Sequence, residues 1–256
     1  MILRKAAAVA LLAAFGAAVI PLQTLIQREA RAAHFQKTSL DIGLREKVGQ
    51  SGFLAALSGF RSPIAALLWI EAHSAWERTE WGRMAGLFDT VTTLQPRSIP
   101  YWDLSAWHMA WNASVAAMQN EKQPSEALRL RAQRAYIQLG KDFLERGIKN
   151  NPDRHQLHLA LAVLLRDKLS DHCAAAGEFL KAASFPGAPP YAARFAGYEM
   201  AKCPGREFEA YDHLRRLYEQ GEKQRLPSLI NVLRDLENRL DIPAGARIQD
   251  ATPGPT

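Results

Sequence analysis

Residues 151–186, NPDRHQLHLALAVLLRDKLSDHCAAAGEFLKAASFP, decide the fold of this 256-residue chain. Apolar side chains recur there at helical spacing in two runs, 153–169 and 173–184, each too long for an ordinary strand. Pro152 precedes the first run and Pro186 follows the second, 34 residues later. Proline lacks an amide hydrogen and clashes with the preceding turn, so it belongs at the joints of helices and not within them. The stretch therefore reads as a pair of antiparallel helices, closed by a proline.

The same grammar extends in both directions. Prolines at positions 63, 96, 100, 124, 189, 190, 204 and 227 fall between or at the edges of further helical runs, while alternating strand-like runs with Asn-Gly or Asp-Gly turns are missing. Helices are expected at 29–48, 62–80, 82–94, 100–118, 125–149, 190–202, 206–220 and 228–240, making the protein all-α. A 34-residue period is that of tetratricopeptide (TPR) repeats, in which a proline closes each helix pair. Phe88, eight residues before Pro96, matches the aromatic and proline positions of such a repeat. The steps from Pro96 to Pro152 and from Pro186 to Pro227 are 56 and 41 residues, so the pairs are irregular. Pairs of this kind cannot bury their apolar faces alone and stabilise one another by stacking, which predicts a TPR-like α-solenoid over 51–241 with 228–240 as its cap. Residues 29–50 are expected as a linker helix, and 242–256, rich in Pro, Gly and small polar residues, as a disordered tail.

The N-terminus carries a different signal. After Arg4 and Lys5 no charge occurs from Ala6 to Ile26, a run that would span about 32 Å as a helix, close to the thickness of a bilayer's hydrocarbon core. Residues 1–28 are expected to form a signal-anchor or transmembrane helix. A cleaved signal peptide with Ala30-Arg31-Ala32 at its end is the other reading, and its long polar stretch before that site disfavours it. The formal charge of +6 is concentrated here: residues 1–50 hold seven Lys or Arg against three acids, and the remaining chain is nearly neutral. That distribution points to a membrane surface and away from nucleic acid.

Gly59-Phe-Arg-Ser-Pro-Ile-Ala-Ala-Leu-Leu-Trp69-Ile-Glu-Ala72, followed by Leu94-Gln-Pro-Arg97, Trp102, Ala106-Trp107 and Trp111-Asn112, resembles a group of bacterial, N-terminally anchored TPR-like proteins without an assigned activity. The resemblance covers about residues 52–114. It implies architecture and location and transfers no active site.

Signatures of catalysis and of cofactors are mostly missing: there is no Gly-x-Ser-x-Gly, phosphate loop, dinucleotide fingerprint or His-Glu-x-x-His. No catalytic residue, metal or cofactor is assigned. His155 and His158, with His172 and Cys173 nearby in sequence, are the best metal candidates, and read more simply as a solvated helix start and a repeat joint. The six tryptophans all lie between Trp69 and Trp111. Trp69, His73 and Trp76 make one helical stripe and Trp107 with Trp111 another, so these four tryptophans are expected to pack between helices. Trp81 and Trp102 lie near helix ends, where exposure is expected. Trp102, Asp103 and Arg97 together form the leading recognition spot for a partner, with Trp81 and Arg61 as further candidates. The cations at Arg129, Arg131, Arg134, Lys141, Arg146 and Lys149, relieved by Glu126, Asp142 and Glu145, read as a solvated helix face.

Cys173 and Cys203 are the only cysteines. In a stack of antiparallel helices the start of one lies beside the end of the next, which lets these two meet; two buried thiols are the other reading. A disulfide would place the domain outside the cytoplasm. The expected function is a single-pass inner-membrane protein whose helical repeats, in the periplasm, bind a protein or peptide of the cell envelope. The alternative is a glycan-binding or glycan-processing protein with a Trp-rich cleft and Glu71, Glu77 or Glu80 as acids. Convergence of those carboxylates beside exposed tryptophans separates the two.

Overall fold

The computed structural model describes residues 59–248. The expected anchor, the linker helix at 29–48 and the chain beyond 248 lie outside the described residues. Among the described residues there is no strand, and no helix is long and apolar enough to cross a membrane. The helices are α1 (Arg61–Glu77), α2 (Trp81–Leu94), α3 (Ile99–Trp107), α4 (Ser114–Met118), α5 (Glu126–Asn150), α6 (Gln156–Leu169), α7 (His172–Ala183), α8 (Tyr191–Met200), α9 (Glu207–Glu219) and α10 (Pro227–Arg239). A π-helical stretch, His108–Ala113, joins α3 to α4, so that 99–118 forms one rod.

The local causes are visible at the ends. Pro100 and Pro227 occupy first-turn positions, where a missing amide hydrogen costs nothing. Ser125 and Asp171 cap α5 and α7, their side-chain oxygens accepting from the amides of Leu128 (3.4 Å) and Ala174 (2.9 Å). Ser170 ends α6 in the left-handed region (φ 52°), which reverses the chain within two residues. Helices α1 and α2 run antiparallel, as do α6 and α7. Gln95 beyond α2 donates to Ser62 at the start of α1 (2.6 Å), and His158 at the start of α6 bonds Glu178 late in α7 (2.6 Å). Besides each nearest neighbour, α3 packs on α6, and α8 on α10.

Two apolar clusters make the core. One gathers Phe88, Trp102, Met109, Phe143, Leu144 and Leu157 from α2, the rod, α5 and α6. The other gathers Phe179, Met200, Tyr211, Leu214, Leu229 and Leu233 from α7 to α10. Helix α6 supplies residues to both: Leu157, Leu161, Leu164 and Leu165 to the first, Ala162 to the second. Within the first cluster, α5 approaches the rod so closely that glycine is required. A Cβ at Gly140 would lie 2.7 Å from the Cβ of Ala110, and one at Gly147 2.8 Å from Cγ of Trp102.

Ionic and covalent ties secure the joints. His158 and Glu178 link α6 to α7, and His172 with Glu199 links α7 to α8 (2.6 Å). Burial alone would raise the Glu178 carboxyl, but hydrogen bonds from His158 and Lys181 outweigh it and hold it below the usual carboxylate range. Cys173, in the first turn of α7, is bonded to Cys203, just past α8, with 5.1 Å between their Cα atoms. Residues 242–248, expected as the start of a disordered tail, are instead docked. Ile242 and Ile248 pack on the second cluster, the amide of Ile248 donates to the buried Glu237 carboxylate (2.6 Å), and Arg215 donates to the carbonyl of Ala246 (2.8 Å). A buried carboxylate needs donors, and this segment provides one.

Two outcomes follow. Gly147→Ala forces a methyl group against a fixed indole, and the resulting overpacking, about 1–3 kcal/mol, exceeds the gain of roughly 1 kcal/mol in helix propensity, so urea unfolding moves to lower denaturant. Reducing the Cys173–Cys203 bridge, whose partners are 30 residues apart, removes about 3–4 kcal/mol in the chain-entropy account and lowers the melting temperature.

Candidate functional site

The expected recognition spot around Trp102 is taken apart by the structure. Trp102 is only 3 % exposed, and its indole Nε1 donates to the carbonyl of Pro96 (2.8 Å). The same carbonyl accepts from Nδ2 of the buried Asn151 (2.9 Å), which also donates to Gly147. Arg97 points toward the same joint: Nη1 donates to the carbonyl of Asn150 (2.6 Å) and Nη2 to Asp153 (2.8 Å). The Leu94-Gln-Pro-Arg97 turn is thus clamped to the turn around Asn151 and Pro152, and Trp102 and Arg97 serve the fold. Trp102 sits inward because its helix position aligns with Ser105, Ala106, Met109, Ala110 and Ala113, all buried against α5. Arg146, counted with the solvated cations, lies over the rings of Phe143 (4.8 Å) and Trp102 (5.5 Å) and bonds Asp89 of α2 (2.7 Å).

The other tryptophans divide differently from expectation. Trp69 is half-buried, stacked on Phe88 and tilted against Tyr101, each with 5.0 Å between ring centres. Trp76 is 37 % exposed and Trp107 is 46 % exposed, so neither is the core residue its stripe predicted. Trp81 opens α2, partly buried, beside a cleft of about 600 Å³ with Tyr136 and Arg129 on its far wall. Arg61 opens α1, partly buried, and burial lowers its pKa.

Of the expected residues only Asp103 faces a concave site with exposed tryptophan. Asp103, Trp107 and Trp111, four residues apart, form one wall of a groove of about 500 Å³. Leu159, Val163 and Asp167 of α6 form the facing wall, and Tyr191 at the start of α8 closes one end. The wide π-helical turn carries Trp111 and is held by a contact of 3.0 Å between the side chains of Asn112 and His108. Such turns are frequent at functional sites. Beyond Tyr191 the aromatic edge continues to Phe195 (5.3 Å) and from there to Tyr198 (5.9 Å).

The charges of the groove are unequal. Asp167 is held below the usual carboxylate range, chiefly by the hydrogen bond from Arg166 (2.6 Å). The Asp103 carboxyl reaches water yet is crowded by its neighbours, and that desolvation raises its pKa. Lys168 places its ammonium 5.2 Å from the centre of the Trp111 ring, and partial burial lowers its pKa.

The carboxylates considered for acid chemistry each have a surface partner. Glu71 and Glu80 both bond Arg83, Glu80 also meets Arg78 (3.1 Å), and Glu77 lies 3.7 Å from His73. Of the metal candidates, His158 and His172 are bonded to glutamates and Cys173 is in the disulfide. Among the described residues no group of three or more His, Cys, Asp or Glu could hold a metal ion.

The two tryptophans exchange roles, and stability measurements distinguish them. Trp102→Ala empties a core site and costs about 3–5 kcal/mol in chemical denaturation. Trp107→Ala removes a half-exposed ring and costs about 1 kcal/mol or less. Comparison with protein-family models, with curated proteins and with solved structures finds no match to this chain.

Proposed function

We propose that this protein is a membrane-anchored, extracytoplasmic TPR-like adaptor that holds an extended segment of an envelope protein in the groove between α3, α6 and α8. The observation that carries the reading is the groove itself: Trp107 and Tyr191 exposed, and Trp111 partly buried, around a concavity of about 500 Å³, on helices fixed from behind by the core. Exposed aromatic rings in a preformed hollow are the usual anchors of protein recognition. Antiparallel neighbours, together with the contacts of α3 with α6 and α8 with α10, support a stack of helix pairs in which one helix of each pair lines a shared face. The disulfide supports an oxidising compartment, and the uncharged run from Ala6 to Ile26 supports the anchor.

Of the acids expected in the glycan reading, Glu71 and Glu80 are held in surface ion pairs with Arg83, and none of the three lines the groove, which leaves peptide recognition the better use of it. A photoreactive phenylalanine analogue at Tyr191 in the full-length protein, illuminated in cells, is expected to capture a discrete envelope protein, whereas the same residue at Arg131 on the exposed face of α5 captures none. Adducts to glycan strands alone would overturn the proposal. Full-length protein is expected to stay with membranes through a carbonate wash, and deletion of residues 1–28 to release it. A freely soluble protein that keeps its N-terminus would remove the anchor.

A further inference from the structure

The adaptor reading says that the groove holds a peptide, and the chemistry of its walls, on that reading, says which side chain the peptide presents. The groove's two carboxylates differ in what they already have. Asp167 is bonded twice by Arg166, at 2.6 and 3.2 Å. Asp103 makes no hydrogen bond or ion pair among the described residues, although it stands four residues before the exposed Trp107 on the same face of α3. A carboxylate in crowded, partly apolar surroundings without a counter-charge is a standing electrostatic cost that a guest cation removes.

The aromatic walls favour the same guest. Indole faces attract cations through their electron-rich surfaces, and the protein uses that attraction itself where Lys168 lies over Trp111. Arginine and lysine also carry long apolar stems, which Leu159 and Val163 on the α6 wall can cover. An anionic guest finds no such welcome. The groove lining holds no Lys or Arg, the cations flanking Asp167 are engaged, Arg166 with Asp167 and Lys168 with Trp111, and Asp103 would repel it.

We infer that the groove is a socket for a cationic side chain, arginine or lysine, projected from an extended peptide segment, with its charge at Asp103 and its stem across Trp107. The apolar lining positions the stem, and the lone carboxylate selects the charge.

The test is affinity selection of a random nine-residue peptide library on the full-length protein in detergent micelles, run in parallel on Asp103→Asn and Trp107→Ala, each first checked for an unchanged circular dichroism spectrum and melting temperature. Peptides recovered by the unmodified protein are expected to share Arg or Lys at one position. Replacing that residue by Gln in a resynthesised peptide is expected to weaken binding about tenfold or more, and Asp103→Asn to shrink this preference to about twofold or less. Peptides that depend on Trp107 but share no basic position, or share an acidic one, overturn the cation socket and leave the peptide groove standing. If no peptide is enriched above the Trp107→Ala background, the groove reading and the socket fall together.

Discussion

One carbonyl oxygen, that of Pro96, organises the first half of the domain. It accepts from the Trp102 indole and from Asn151, and so fixes the one buried tryptophan of the rod against the turn that follows α5. Once that indole is fixed, α5 must carry glycine at position 147, where any side chain would collide with it. Gly140, two turns earlier, requires alanines opposite and finds Ala110 there. The close approach buries small residues along the rod and leaves the exposed Trp107 and the partly buried Trp111 lining the groove beside them. The candidate site is, in that sense, the outer face of a packing decision made at Pro96.

The helices were legible because periodicity and proline act locally. Expected runs at 82–94, 125–149 and 228–240 correspond to Trp81–Leu94, Glu126–Asn150 and Pro227–Arg239. The larger errors come from contacts made at a distance. The stretch 153–169 begins three residues late, at Gln156, after a turn in which Arg97 and the amide of Arg154 find their partners. Residues 242–248 look like a tail by composition, and their place comes from partners elsewhere in the chain: the buried Glu237, Arg215 and the second apolar cluster. The π-helical stretch 108–113 has no compositional mark at all.

The site was legible in part, for a related reason. The spacing of Trp107 and Trp111 did identify one surface of the rod, and the stripe was assigned to the core, where Trp111 does pack in part while Trp107 stays exposed. The competing stripe of Trp102, Ala106, Met109, Ala110 and Ala113 is composed mostly of small residues and is easily overlooked. Gly140 and Gly147, seven residues apart on the partner helix, were the signal that small residues would be the buried ones. Asp103 was singled out for its neighbour Trp102, and instead lines the groove with Trp107, one turn along the same helix.

Helix α6 belongs to both apolar clusters and also forms a wall of the groove. Stacked helix pairs whose interfaces are all of one kind can fray from either end, one unit at a time. Here the end units share a keystone: detaching α6 from the first cluster also strips Ala162 and its neighbours from the second. The packing thus ties the chain from α2 to α10 to one helix rather than to separable rungs, and a guest held against Leu159 and Val163 would brace the helix on which both halves hang.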